Sequence, residues 1–332
     1  MVVAMKSDGH LPKQILLTCD TELGEVSRHF DAQDSFDFFV EGKYDGQQVG
    51  FDFLNQTASD FGAKMTHFLD VYPAKNGLEK RFSNLVERAL NQGHEVELHT
   101  HPSWQFDERR IFMFQYSEDE QREILAHGIK LLQKWSGKQP LAHRAGGYGA
   151  DNRIFKLLSE FEIRFDSSYY FRYRNCPMEG LALNKTQAIE GVVEVPITVF
   201  DRQQRYAPGF KKAQRTQLDL RMGLSIKEIE AVLDQSPPGA ILVFFFHSFN
   251  FLQIPFNSKT RKFGKPAIDR QLMESYRSML KMISGRNDCS FATFGDLRMA
   301  EHEPFFPKVS VSASFSQKIK SKWQIWKGID HV

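Results

Sequence analysis

The sequence predicts an α/β protein whose parallel strands curl toward a barrel, and three observations predict it. Short apolar runs alternate with helical patterns along most of the 332 residues, the pattern of a parallel sheet with crossover helices. Roughly seven such runs occur, a number that suits a closed or nearly closed barrel. No glycine-rich phosphate loop follows the first run, which weakens a nucleotide-binding reading. A doubly wound open sheet would alternate in the same way, and the pattern alone leaves both architectures open.

The elements follow in order. The run 14–19 (QILLTC) reads as a strand, and 49–62 as a helix stopped by Gly62. Residues 64–71 (KMTHFLDV) are the next strand. The segment 78–93 puts Phe82, Leu85, Val86, Ala89 and Leu90 on one helical face, with Gly93 as its stop. EVELH follows as a strand. Ser117 and Glu120 form a capping box at the head of a long helix. Residues 140–145 are a strand, 151–161 a helix with Asp151 as N-cap, and 163–168 a strand. A second capping-box helix covers 225–235. The run AILVFFF (240–246) suits a strand buried on both faces. A last helix ends at Gly285, and 290–294 is the last strand.

One barrel domain over 14–300 is expected, with an N-terminal extension (1–13) and a C-terminal tail (301–332). Lysine and arginine number 43 against 41 acidic residues, a net charge of +2. Such balance gives no argument for nucleic acid as a partner. Three cysteines, Cys19, Cys176 and Cys289, make no disulfide framework and no Cys-x-x-Cys pair. A reducing compartment, the cytoplasm, fits them best. No run approaches the roughly 20 apolar residues of a membrane span. The tail is basic and aromatic, a composition that also suits weak peripheral contact with a membrane surface.

In parallel α/β folds the chemistry sits at the C-terminal ends of the strands. Asp20 and Glu22 end the first strand, and His99 and His101 end the third. Arg144, followed by Gly147 and Tyr148, ends the strand near 140. Asp166 ends the next, and His247 follows the apolar run. Each alone has a plain reading as a rim, cap or turn residue. Five together at one pole point to a site of the metal-hydrolase type. On an extended strand, i and i+2 share a face. His99 and His101 can therefore bind one ion, and Asp20 and Glu22 stand in the same relation.

These segments, over about residues 14–298, resemble the polysaccharide deacetylases, the NodB-homology group of carbohydrate esterases. TCDTE is similar to the family's first motif, GHEVELHTH to the second, RAGGYG to the third, FDSS to the fourth and VFFFHS to the fifth. The Leu-His-x-His-Pro form of the second motif resembles the lipopolysaccharide-biosynthesis branch. In the family's usual first motif two aspartates are adjacent. Here Thr21 takes the second place, and Glu22 becomes the carboxylate ligand to test against Asp20. The usual second motif spaces its histidines by four, where this chain has Ser103.

The resemblance implies a distorted (β/α)7-type barrel of the NodB kind. It implies hydrolysis of an N-acetyl group on a sugar of a polysaccharide or lipopolysaccharide precursor. One divalent ion would be held by Glu22, His99 and His101: zinc first, with iron, cobalt or manganese as alternatives. Asp20 would be the general base, oriented by Arg144. His247 would be the general acid, with Asp166 setting its tautomer and raising its pKa. Tyr148 and Gly147 would line the oxyanion site, and Trp104 would stack on a sugar ring. Two other functions fit the residues: hydrolysis of a non-sugar amide on the same fold, and glycan binding without catalysis.

Overall fold

The computed structural model describes residues 11–312, apart from 25, 26, 29, 208, 209, 254 and 258–261. The core is a parallel sheet whose strands alternate with helices. In chain order these are β1 (Lys13–Thr21), α1 (Phe51–Asp60), β2 (Met65–Asp70), α2 (Glu79–Asn91), β3 (Glu95–Thr100) and α3 (Glu118–Ser136). There follow β4 (Ala142–Ala145), α4 (Arg153–Glu160), β5 (Phe165–Asp166), β6 (Gln187–Ile189), β7 (Val192–Glu194), β8 (Val199–Ala207) and β9 (Phe210–Gln217). The chain then forms α5 (Ile226–Asp234), β10 (Ile241–His247), α6 (Arg270–Ser284), β11 (Cys289–Phe291) and β12 (Lys308–Ser312).

Spatial order in the main sheet is β10-β1-β2-β3-β4-β5-β7-β6, with β11 paired to the first residues of β1. All pairs are parallel except β6–β7. The sheet curls on itself, which settles the choice left open by the sequence in favour of an open, distorted barrel. Among the described residues no ladder joins β10 to β7. Two hydrogen bonds bridge that gap: Val243 N–H to Thr198 Oγ1 and Phe245 N–H to the Leu218 carbonyl, each 2.9 Å. Residues 241–246 are buried throughout, as a strand packed on both faces requires.

Helix boundaries follow the chemistry read from the sequence. Ser117 accepts the Glu120 N–H and Glu120 accepts the Ser117 N–H. Ser225 and Glu228 do the same for α5. Gly62 takes φ +71° just past α1, a left-handed conformation that glycine adopts without strain. The N-cap of α4 is Asn152, one residue beyond the expected Asp151, whose carboxylate instead accepts the Arg153 N–H. The strand expected over 290–294 covers 289–291 only, and Phe294 begins a 3-10 turn. The small sheet β9-β8-β12 carries no alternating α/β signal. Through it, Lys308–Ser312, inside the segment read as a tail, pairs in parallel with β8. Residues 313–332, with the basic aromatic stretch, and 1–10 lie outside the described residues. No helix among those described is long and apolar enough to cross a membrane.

Candidate functional site

Strand register decides which side chains meet, because direct partners share a face and successive residues alternate. Asp20 is the partner of both His247 on β10 and Phe68 on β2. Asp70 partners His99, and His99 partners Arg144. Asp20, Glu22, Asp70, His99, His101, Arg144 and His247 therefore face the barrel interior at its C-terminal pole. His143 and Asp166, partners across β4–β5, occupy the opposite face, toward the helices.

Arg144 is fully buried inside the barrel. Its guanidinium lies 4.1 Å from the Phe68 ring centre. It donates to Asp20 Oδ1 at 2.7 Å and to Thr18 Oγ1 at 3.0 Å. It also donates to the carbonyl and hydroxyl oxygens of Ser167, both at 3.1 Å. A planar guanidinium held at four points fixes the carboxylate it faces.

Next to that pair, Glu22, His99 and His101 converge. Each offers one ligand atom, and these atoms lie within 4.8 Å of one another. Glu22 Oε2 is 2.6 Å from His101 Nε2 and 3.2 Å from His99 Nε2. Burial alone would raise the Glu22 carboxyl. The neighbouring imidazoles, His101 first, outweigh it and hold that carboxyl well below the usual carboxylate range.

Nδ1 of His99 lies 2.9 Å from the Arg144 carbonyl oxygen, which can only accept. Nδ1 therefore carries a proton, and in neutral imidazole Nε2 presents its lone pair. That Nε2 is buried, makes no aligned hydrogen bond, and is 3.6 Å from Asp20 Oδ2. A buried lone pair set between carboxylates is a place for a cation. Two imidazoles and a carboxylate fit a divalent ion of the zinc type and leave open positions. Gly146 makes the room: a Cβ there would fall 2.5 Å from His101 Nε2 and Cε1.

His247 joins this cluster, with Nε2 3.6 Å from Glu22 Oε1. Its ring stacks on Phe249, 4.7 Å between centroids. Two expectations about it need correction. Asp166 does not touch His247. Its Oδ1 is 2.7 Å from His143 Nδ1, on the far face of the sheet, because Asp166 is one residue out of phase with the site. Nor is the His247 pKa raised: burial pushes it down to about 4, against the pull of Glu22 and Asp20.

Tyr148 is buried and donates its hydroxyl to Gln217 Oε1 at 3.0 Å. Its φ of +59°, beside +56° at Gly147, marks a tight left-handed turn where β4 delivers the chain to the site. Trp104 is no open platform for a sugar. It is buried, and the Arg28 guanidinium lies 3.9 Å from its ring centre.

Four contributors escaped the sequence reading: Thr18, Gly146, Ser167 and Asp70. Asp70 ends β2 fully buried; Oδ1 accepts the Tyr72 N–H at 3.2 Å, and Oδ2 has no partner. Burial pushes its carboxyl up to about 7, with His101 and His99 pulling the other way. Its place at a strand end, two residues past inward-facing Phe68, was the available signal.

No family model matches the sequence. Among solved structures, a Mycobacterium smegmatis protein assigned as a polysaccharide deacetylase superposes with TM-score 0.53 at 17% identity, over 87% of this chain and 90% of that one. The shared fold is that of the polysaccharide deacetylases. A 4-alpha-glucanotransferase from Thermococcus litoralis also matches, with TM-score 0.52 and 11% identity, over 95% of this chain and 45% of that one. This chain carries the observed cluster at the C-terminal pole of its parallel strands, where side chains from several strands can converge.

Proposed function

We propose that this chain is a metal-dependent amide hydrolase that removes an N-acetyl group from a sugar of a polysaccharide or lipopolysaccharide precursor. The observation that carries the reading is the buried, unbonded Nε2 of His99, aimed with His101 at Glu22 beside the Asp20–Arg144 pair. Glu22, His99 and His101 would hold the ion. Bound there, a divalent cation supplies Lewis acidity toward the acyl oxygen and the attacking water. Asp20 accepts the water's proton, its orientation set by Arg144. His247 faces the same space and passes a proton to the leaving nitrogen. Because burial holds His247 neutral at rest, the proton it passes on is the one Asp20, its direct partner across β1–β10, has taken from the water. A backbone N–H at Gly147 or Tyr148, in the left-handed turn after β4, would bind the developing oxyanion. Lipopolysaccharide precursors are favoured by the Leu-His-x-His-Pro form of the second motif. The three free thiols support work in the cytoplasm.

The test is acetate release from a panel of N-acetyl sugars, nucleotide sugars and lipid-linked glycans, with zinc, cobalt or manganese added to chelator-treated protein. Metal-dependent acetate release from at least one glycan is expected. Bound metal without acetate release from any of them would overturn the reading.

A further inference from the structure

The described site leaves one buried charge without a task. Asp70 ends β2 in direct register with His99 on the adjacent parallel strand, and such strands lie about 4.8 Å apart. Its side chain therefore stands beside the His99 imidazole on the interior face. The carboxylate is fully buried, and only Oδ1 is used, by the Tyr72 N–H. Oδ2 is buried with no hydrogen-bond partner. A carboxylate oxygen left so costs free energy unless positive charge lies near it.

The neighbouring charges say what is missing. Arg144 offsets Asp20. Among the described residues no lysine or arginine forms an ion pair with Glu22 or with Asp70. Glu22 meets the imidazoles of His99, His101 and His247. Two carboxylates on adjacent strands thus share one pocket with no lysine or arginine paired to either among the described residues, and a single divalent cation would balance both.

We propose that Asp70 is a positioning residue of the cation centre, an outer carboxylate whose charge tightens the hold of Glu22, His99 and His101 on the ion. This rests on the metal-dependent reading above. Partners outside the ligand shell commonly change metal affinity by about 10–100-fold. Asp70→Asn keeps the shape and the acceptor for Tyr72 N–H but removes the charge.

The experiment is zinc binding by chelator competition on the full chain, for wild type, Asp70→Asn and Asp70→Ser, with melting temperatures recorded in EDTA. Both variants should bind zinc about 10–100-fold more weakly, while their metal-free forms melt no lower than wild type. A merely structural role would lower the metal-free melting temperature instead, and that result, or failure of both variants to fold, overturns the proposal. Affinity within about twofold of wild type, well short of the usual outer-partner effect, overturns it as well. A wild type that takes up no zinc defeats the metal-dependent reading itself. Wild-type binding with unaffected variants defeats only the role of Asp70.

Discussion

The carbonyl oxygen of Arg144 accepts from His99 Nδ1 at 2.9 Å, while the guanidinium of the same residue donates to Asp20 at 2.7 Å. One residue of β4 therefore fixes both the His99 imidazole and the carboxylate proposed as base. The backbone does the first task and the side chain the second, so the two can be separated by mutation. Arg144→Met should disorder Asp20 and remove turnover. Zinc uptake should survive, because the carbonyl remains. Metal analysis beside an acetate assay distinguishes the outcomes; loss of metal in this variant would count against the division of labour.

The proposed ligands make the sharpest test. His99→Ala, His101→Ala and Glu22→Gln should each abolish stoichiometric metal binding and activity together. Glu22 and His101 lie just past β1 and β3, and His99 is the penultimate residue of β3, so circular dichroism should remain that of the wild type. A His99 variant that keeps its metal would remove this residue from the set.

Gly146 should matter through His101 alone. A methyl group there overlaps the imidazole at 2.5–2.6 Å, and forcing such overlap costs about 1–3 kcal/mol. The ring can move more easily than the β4 backbone. Gly146→Ala is therefore expected to fold, to melt a little lower, and to bind zinc more weakly than wild type in a chelator titration. Unchanged affinity would mean that His101 is not a ligand.

His247 takes part in the chemistry without holding the ion in this scheme. His247→Ala should cut kcat by about 10²–10⁴-fold, the usual span for a lost acid or base, at unchanged metal content. Wild-type turnover would show that the leaving nitrogen gets its proton elsewhere.

How much of this was legible in the sequence follows from the periodicities. Strand ends could be found from apolar runs, so Asp20, Glu22, His99, His101, Arg144 and His247 were found. The face each residue takes depends on its phase within the strand, and a strand as short as Phe165–Asp166 gives no alternation from which to read it. Asp166 was therefore put with His247, although Ser167 is the residue on the site side. Asp70 was missed for a related reason: a carboxylate closing an apolar run looks like a turn residue until the register sets it beside His99. The small sheet of β8, β9 and β12 was illegible because its pairing is long-range and one strand lies in an apparent tail. Trp104 was misjudged because cation–π partners distant in sequence, here Arg28, leave no local trace.

The misplacement of Asp166 yields its own prediction. Its carboxyl accepts from Ser168 Oγ at 2.9 Å and pairs with His143, which in turn meets Thr100 Oγ1 at 3.1 Å. This chain ties β3, β4 and β5 together behind the site. Asp166→Ala should cost about 3–5 kcal/mol, the usual penalty for breaking a buried pair. The pH dependence of kcat for the folded fraction should stay that of the wild type. A displaced pH profile in a stable variant would return Asp166 to the catalytic group.

Two histidines away from the cation position should contribute to acid sensitivity. Met65 N–H donates to His94 Nδ1 at 3.1 Å, so His94 is bound as a neutral acceptor, and burial lowers its pKa to about 4. His67 is fully buried, bonded through Nδ1 to Thr21 Oγ1 and through Nε2 to Asn55 Oδ1. Burial holds it well below the ordinary histidine range. In the unfolded chain both titrate near 6.5. Below that pH the unfolded state binds more protons than the folded one, so stability is intact above about 6.5. It is lost as the pH falls toward the folded values, by at most about 1.4 kcal/mol per pH unit for each histidine. Glu97 and Glu194, which burial raises well above the carboxylate range, act with the opposite sign and blunt the total. A difference measurement isolates one contributor. His94→Gln preserves an acceptor for Met65 N–H but cannot titrate. Its melting temperature in EDTA should fall less steeply than that of wild type between pH 6.5 and 4.5, so the two curves approach one another as acid is added. Parallel curves over that interval would show that His94 takes up its proton without loss of the folded state.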